Sequence, residues 1–119
     1  MAVTTEHVGE DRRLQRHTET GAANTALAVT VGGHKGKRVV QVLVKYSAAP
    51  TQAGVTTELD SGAGAGYDTL LNTGTANAQN TVYNPGGTVV LGKDDALKVT
   101  APAGGAGITA SISVYTEEL

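Results

Sequence analysis

The sequence predicts an all-β fold: an antiparallel β-sandwich with the strand count of an eight-stranded jelly roll. Residues with β-branched side chains recur at every second position in many short segments, which is the period of a half-buried strand. Gly, Pro and Asn separate these segments, and no segment of ten residues has the spacing of an amphipathic helix. Because 119 residues fit one domain of this kind, an α/β fold or a two-domain enzyme is disfavoured.

Eight segments fit the strand pattern, all of them after residue 23. They are Thr25–Val31, Arg38–Tyr46, Val55–Leu59, Tyr67–Thr73, Asn80–Tyr83, Thr88–Leu91, Ala96–Thr100 and Ile108–Thr116. The last is the clearest, because apolar residues alternate strictly with Thr and Ser. The segment around Asp68 also fits a single helical turn capped by that residue. The predicted core consists of Leu27, Val29, Val40, Val42, Val44, Leu97, Val99, Ile112 and Val114.

The domain organisation predicted from this pattern is an extended N-terminal arm, residues 1–23, followed by the sandwich domain, residues 24–119. In the first segment, Val3, Val8 and Leu14 are too far apart for a sustained helical or strand period. The segment is also highly charged and nearly free of glycine. This composition is typical of an arm that lies across a partner, and a frayed terminus without a role is the alternative.

The apolar composition indicates a thin core. Apolar residues make up 39% of the chain, but there is no Phe, Trp or Cys and only four Tyr. Such a chain gains stability by burying further surface against copies of itself or a partner. In the segment Arg38–Tyr46, the face opposite the predicted core carries Val39 and Leu43 beside Gln41 and Lys45, so we predict that Val39 and Leu43 lie at a subunit interface.

Charge is distributed unevenly along the chain, although the formal net charge is only −2. Residues 12–45 carry seven basic residues and one acidic residue, whereas residues 46–119 carry two basic and seven acidic residues. These blocks can pair within one subunit, between subunits, or with an acidic partner. The net charge and the few aromatic residues disfavour nucleic-acid binding. No apolar run is long enough to span a bilayer, so no membrane association is predicted.

No motif in the sequence predicts chemistry. The Gly-rich segment Val31–Arg38 lacks the GKS or GKT ending of a phosphate-binding loop and is predicted to be a hairpin turn. The three histidines lack partners at metal-ligand spacing and are predicted to be solvated or at an interface. The Gly92–Asp95 segment is predicted to be a hairpin loop in which Asp bonds its own backbone rather than a calcium site. We therefore predict no catalytic residue, metal site, cofactor or small-molecule substrate, and hence no enzyme.

The C-terminal sequence carries a resemblance to a known family. From Asp94 to Ile108 and from Ser113 to Glu117, the pattern is two strands around a Gly-rich hairpin with an aromatic and then acidic end. This pattern resembles small jelly-roll decoration, or cement, proteins of tailed bacteriophage capsids. The resemblance implies a structural virion protein, made in the bacterial host cytoplasm and bound as a homotrimer to the outer capsid surface, where it bridges major capsid subunits and stabilises the shell.

The predicted arm supplies the capsid-binding residues in this interpretation. Arg12, Arg13 and Arg16 offer planar donors to carboxylates on the shell, and Val8 and Leu14 add apolar surface. The alternative function is a phage receptor-binding or glycan-binding jelly-roll module, in which the Gly-rich loops carry recognition.

Overall fold

A computed structural model describes residues 3–9 and 11–119, and the side chains of residues 11 and 12 lie outside that description. The described chain forms ten strands and one 3-10 turn at Ala65–Tyr67. The strands are β1 Thr4–Val8, β2 Asp11–Thr20, β3 Leu27–Gly32, β4 Lys37–Tyr46, β5 Thr56–Asp60, β6 Thr69–Thr73, β7 Asn80–Tyr83, β8 Val90–Leu91, β9 Ala96–Ala101 and β10 Ala110–Glu118. Strands β3 to β10 coincide closely with the eight predicted segments.

The strands form two antiparallel sheets with the topology of a jelly roll. One sheet has the order β1-β2-β10-β4-β7, with the short β8 paired to the start of β4, and the other has the order β3-β9-β5-β6. Without β1 and β8, each sheet has four strands. β10, the last strand of the chain, lies between β2 and β4, as the last strand of a jelly roll does. The all-β sandwich predicted from the sequence is therefore confirmed.

The core lies between the sheets and follows the period of two. Strand β3 buries alternate residues, Leu27, Val29 and Val31, and β10 buries Ile112 and Val114 in the same way. All of the predicted core residues are buried except Val40. The largest buried side chain belongs to a tyrosine, so aliphatic side chains fill most of the core, as the composition indicates.

That tyrosine explains one of the Gly-rich loops. Tyr46 is 1% exposed, and its hydroxyl donates a hydrogen bond of 2.6 Å to the Pro102 carbonyl. A Cβ on Gly104 would lie 2.8 Å from Cδ1 of the Tyr46 ring. Only glycine therefore lets the loop between β9 and β10 cover the ring at this distance.

A β-bulge in β4 corrects two predictions. Tyr115 of β10 pairs with Gln41, but the next residue of β10, Thr116, pairs with Val39, so Val40 is the extra residue. The bulge shifts the alternation by one residue. Val39 is therefore fully buried in its own subunit and the prediction that it lies at a subunit interface is wrong, whereas Val40 is 39% exposed and is wrongly predicted as core.

The N-terminal segment is a hairpin instead of an extended arm. Strands β1 and β2 pair with each other, and β2 also pairs with β10 from Leu14 to Thr20. Residues 4–8 and 11–20 thus extend the six-stranded sheet, which corrects the predicted arm. The strand pattern is not visible in the sequence because the inward positions of β2 hold polar residues, among them His17 and Glu19, which are both buried.

Candidate functional site

The outer face of the six-stranded sheet carries a group of exposed apolar side chains. Leu43 on β4 pairs with Val82 on β7, and Val90 on β8 pairs with Arg38 farther along β4. Val82 and Val90 are 50% and 46% exposed, Val40 reaches the same face through the bulge, and Leu43 is half-buried. We call Val40, Leu43, Val82 and Val90 the outer apolar patch. It contains one of the two predicted interface residues, Leu43.

The charges on this face are mostly compensated within the subunit. The Arg38 guanidinium lies 3.2 Å from the Glu117 carboxylate on the neighbouring strand. Arg16 forms an ion pair with Glu6 across the hairpin, with the Arg16 Nε donating over 2.8 Å. Lys45 is exposed and makes no ion pair with any residue that the structure describes. The face is therefore apolar on its β7 and β8 side, where Lys45 carries a positive charge that forms no ion pair with a described residue.

The outer face of the four-stranded sheet is different in kind. Its central row across β3, β9 and β5 is Thr30, Lys98 and Glu58, so polar and charged side chains cover it. A large exposed apolar side chain lies at the β6 end of this row, where Leu70 pairs with Glu58 and is 57% exposed. Tyr67, in the 3-10 turn just before β6, is 70% exposed.

The structure separates the predicted capsid-binding residues. Val8 pairs with residue 11 at the closed end of the hairpin, and β2 meets β10 only from Leu14 onward. Residues 8, 9 and 11–13, which include Arg12 and Arg13, thus extend past the pairing with β10; we call them the hairpin tip. Val8 and Leu14 are half-buried and Arg13 is exposed, while the Arg12 side chain lies outside the described residues. Arg16, paired with Glu6, lies away from the tip.

A buried histidine connects the hairpin to the rest of the sheet. The His17 ring is within hydrogen-bond distance of the Thr5 hydroxyl on β1 (Nδ1, 2.8 Å) and of the Thr116 hydroxyl on β10 (Nε2, 2.9 Å). Burial, with smaller effects from nearby Lys37 and His34, lowers the pKa of His17 to about 4. The ring is therefore neutral at pH 7. Because His17 is buried within the subunit, the prediction that it is solvated or at an interface is wrong.

Two cavities lie next to this histidine, at one end of the sandwich. One cavity, of about 310 Å³, is lined by His17 among other residues, and the other has a volume of about 330 Å³. Both are lined by His34, Lys37 and Glu118. Lys37 is 5% exposed, and burial lowers its pKa while Glu118 opposes that effect. Within the described part of the chain, no group of three or more His, Asp or Glu could hold a metal ion.

The Gly-rich segments considered as ligand loops are turns between the two sheets. In the first, the Gly36 amide donates to the Gly33 carbonyl over 2.8 Å. In the second, the Asp95 carboxylate accepts from the backbone amides of Gly92 and Gly62, each at 2.9 Å, and these bonds lower its pKa. The predicted Asp-to-backbone bonding is confirmed. Neither turn is a hairpin, because each joins strands of opposite sheets.

Comparison with known proteins gives no relative for this arrangement. No protein-family model matches the chain, and neither a curated protein nor a solved structure matches it. Over residues 3–9 and 11–119, the structure contains no helix long and apolar enough to cross a membrane.

Proposed function

We propose that the chain is a structural protein of a tailed bacteriophage virion. In this proposal it assembles as a homotrimer, binds the outside of the capsid and stabilises the shell by bridging major capsid subunits. The observation that carries the proposal is the outer apolar patch on the six-stranded sheet of the jelly roll. Jelly-roll sandwiches are common among capsid and lectin domains, and the C-terminal resemblance favours the capsid.

The outer apolar patch supports a role in assembly for a physical reason. Contiguous apolar side chains on the surface of a soluble domain usually mark an interaction site. Leu43 and Val82 are cross-strand partners, and the bulge places Val40 on the same face. A second copy that covered these side chains would add the buried apolar surface that the thin core lacks.

The hairpin tip takes over the role predicted for the arm. It extends beyond β10 and carries Arg12 and Arg13, while the hydrogen bonds of His17 hold the base of the hairpin in place. Because its base is paired within the sheet, this hairpin loses less conformational entropy on binding than a free arm does. Each exposed Arg–carboxylate contact contributes little, but three copies of the tip in a trimer act together.

Co-sedimentation with decoration-free heads tests this function. We expect the wild-type chain to sediment with the heads and to raise their heat resistance. Replacing both tip arginines, Arg12→Ala and Arg13→Ala, should weaken binding and its salt dependence, because two positive charges per subunit are lost. The matched control removes two positive charges elsewhere, with Lys93→Ala and Lys98→Ala, and should bind as the wild type does. Wild-type protein that fails to bind the heads would refute the proposal.

A second candidate function is supported by Tyr67. Its ring is 70% exposed on the Gly-rich loop before β6, and exposed aromatic rings are the usual platforms for sugar binding. A glycan-binding or receptor-binding module would bind glycans in an array and lose that binding in a Tyr67→Ala variant. Tyr83, which is half-buried against the core, offers the control substitution Tyr83→Phe.

A further inference from the structure

The β6 edge is a second exposed apolar surface. β6 is the last strand of the four-stranded sheet, and none of its five residues is charged. Leu70 is 57% exposed, and Tyr67 lies just before the strand. Edge strands are normally protected by charged side chains or covered, because their free backbone groups and apolar side chains attract other chains. The subunit therefore exposes two apolar surfaces on different parts of its fold.

The residual charges next to these two surfaces have opposite signs. Beside the outer apolar patch, the exposed Lys45 forms no ion pair with any described residue. Beside Leu70, Glu58 and Lys98 are cross-strand neighbours of opposite charge, and Asp60 is exposed; none of the three forms an ion pair with a described residue. The net charge beside Leu70 is therefore negative. Opposite charges at the rims of two apolar surfaces favour their mutual contact and fix its orientation.

The difference between the two surfaces determines the symmetry of the contact. When a patch meets its own copy, the result is a two-fold dimer, and here the like charges of both Lys45 residues would enter one interface. When a patch meets a different surface of the next copy, the contact is head-to-tail and can close into a ring. The charges favour the second arrangement.

We propose that the outer apolar patch of one subunit packs on the β6 edge of the next. Leu43 then contacts the partner subunit's Leu70, and Lys45 faces the partner subunit's Asp60. Three such contacts would close the ring, so this inference rests on the homotrimer in the proposed function and names the two surfaces that form it.

Cysteine crosslinking tests the contact directly, because the wild-type chain has no cysteine. The variants are Leu43→Cys, Leu70→Cys and the double variant, each treated with a short bis-maleimide reagent. We expect covalent dimers and trimers only from the double variant, since each contact needs one residue of each kind. The control combines Leu43→Cys with Thr30→Cys, which lies on β3 at the opposite edge of the four-stranded sheet, and should stay monomeric on a denaturing gel.

Other crosslinking results would overturn the inference. Dimers from Leu43→Cys alone would show that the patch meets its own copy. A double variant that gives no crosslink would show that the β6 edge is not the partner surface. Head binding is measured separately on the wild-type chain, so a crosslinked ring without head binding would refute only the capsid function. Head binding without crosslinks would refute only this contact.

Exchange of the two charges gives an independent test. Lys45→Glu or Asp60→Lys alone should weaken self-association about tenfold, because each variant places like charges in the interface. The double variant should regain the wild-type association. If the double variant associates no better than the single ones, Lys45 does not face the partner subunit's Asp60 and the proposed pairing is wrong.

Discussion

Acidification should destabilise the protein through His17 before its carboxylates begin to titrate. The folded pKa of His17 is about 4, whereas the ordinary value is 6.5, because burial disfavours the charged ring. As the pH falls, the unfolded chain therefore binds the proton first. The free energy of unfolding is unaffected by His17 above about pH 7 and falls between about pH 6.5 and pH 4. The full loss is about 3 kcal/mol, of which about 2 kcal/mol is lost by pH 5.

Urea unfolding at several pH values measures this loss. The wild type is compared with His17→Gln, which has no titrating group at this position. The carboxylates contribute equally to both proteins, so they cancel in the difference between the two free energies of unfolding. We expect the difference to shrink as the pH is lowered from 7.5 to 5. The control His7→Gln, at an exposed residue of β1, should retain the wild-type slope. A difference that stays constant over this range would refute the assignment of His17 as a buried neutral ring.

Three further predictions test the packing. Ile112→Ala should cost about 2–5 kcal/mol of unfolding free energy in urea, and a cost near zero would mean that β10 presents its other face to the core. Val39→Asp should prevent folding, as judged by circular dichroism, whereas Val40→Asp should leave the subunit folded with its β-sheet spectrum; the reverse order would place the bulge elsewhere. Gly33→Ala should lower the melting temperature, because the added Cβ would lie 2.0 Å from the Gly92 carbonyl oxygen, and an unchanged value would contradict this close contact.

The fold could be predicted from the sequence where apolar residues alternate. Strands β3, β4, β9 and β10 have this pattern, because one of their faces lies against the core. The hairpin could not be predicted in this way, since hydrogen bonds to Thr5 and Thr116, and not apolar character, make the buried position of His17 stable. Those partners are 12 and 99 residues away in sequence, and only the fold brings them together.

The candidate site was predictable only in part. Leu43 was assigned to the outward face by simple alternation, and the structure places it there. The same rule fails at Val39 and Val40, because one inserted residue changes the face and nothing in the local sequence marks it. Val82 was not predicted, because it faces outward only since Thr81 and Tyr83 face inward, and the sequence of β7 does not show this. Its closeness to Leu43 depends on strand pairing, which the sequence does not specify.

Sedimentation equilibrium tests most directly whether a copy of the chain covers the outer apolar patch. The wild-type chain should sediment as three copies of a 12.0 kDa subunit, about 36 kDa. Leu43→Asp should sediment as a monomer with an unchanged β-sheet spectrum, while the control Thr30→Asp on the other sheet should remain trimeric. A monomeric wild type, or a Leu43→Asp variant that stays trimeric, would contradict the account.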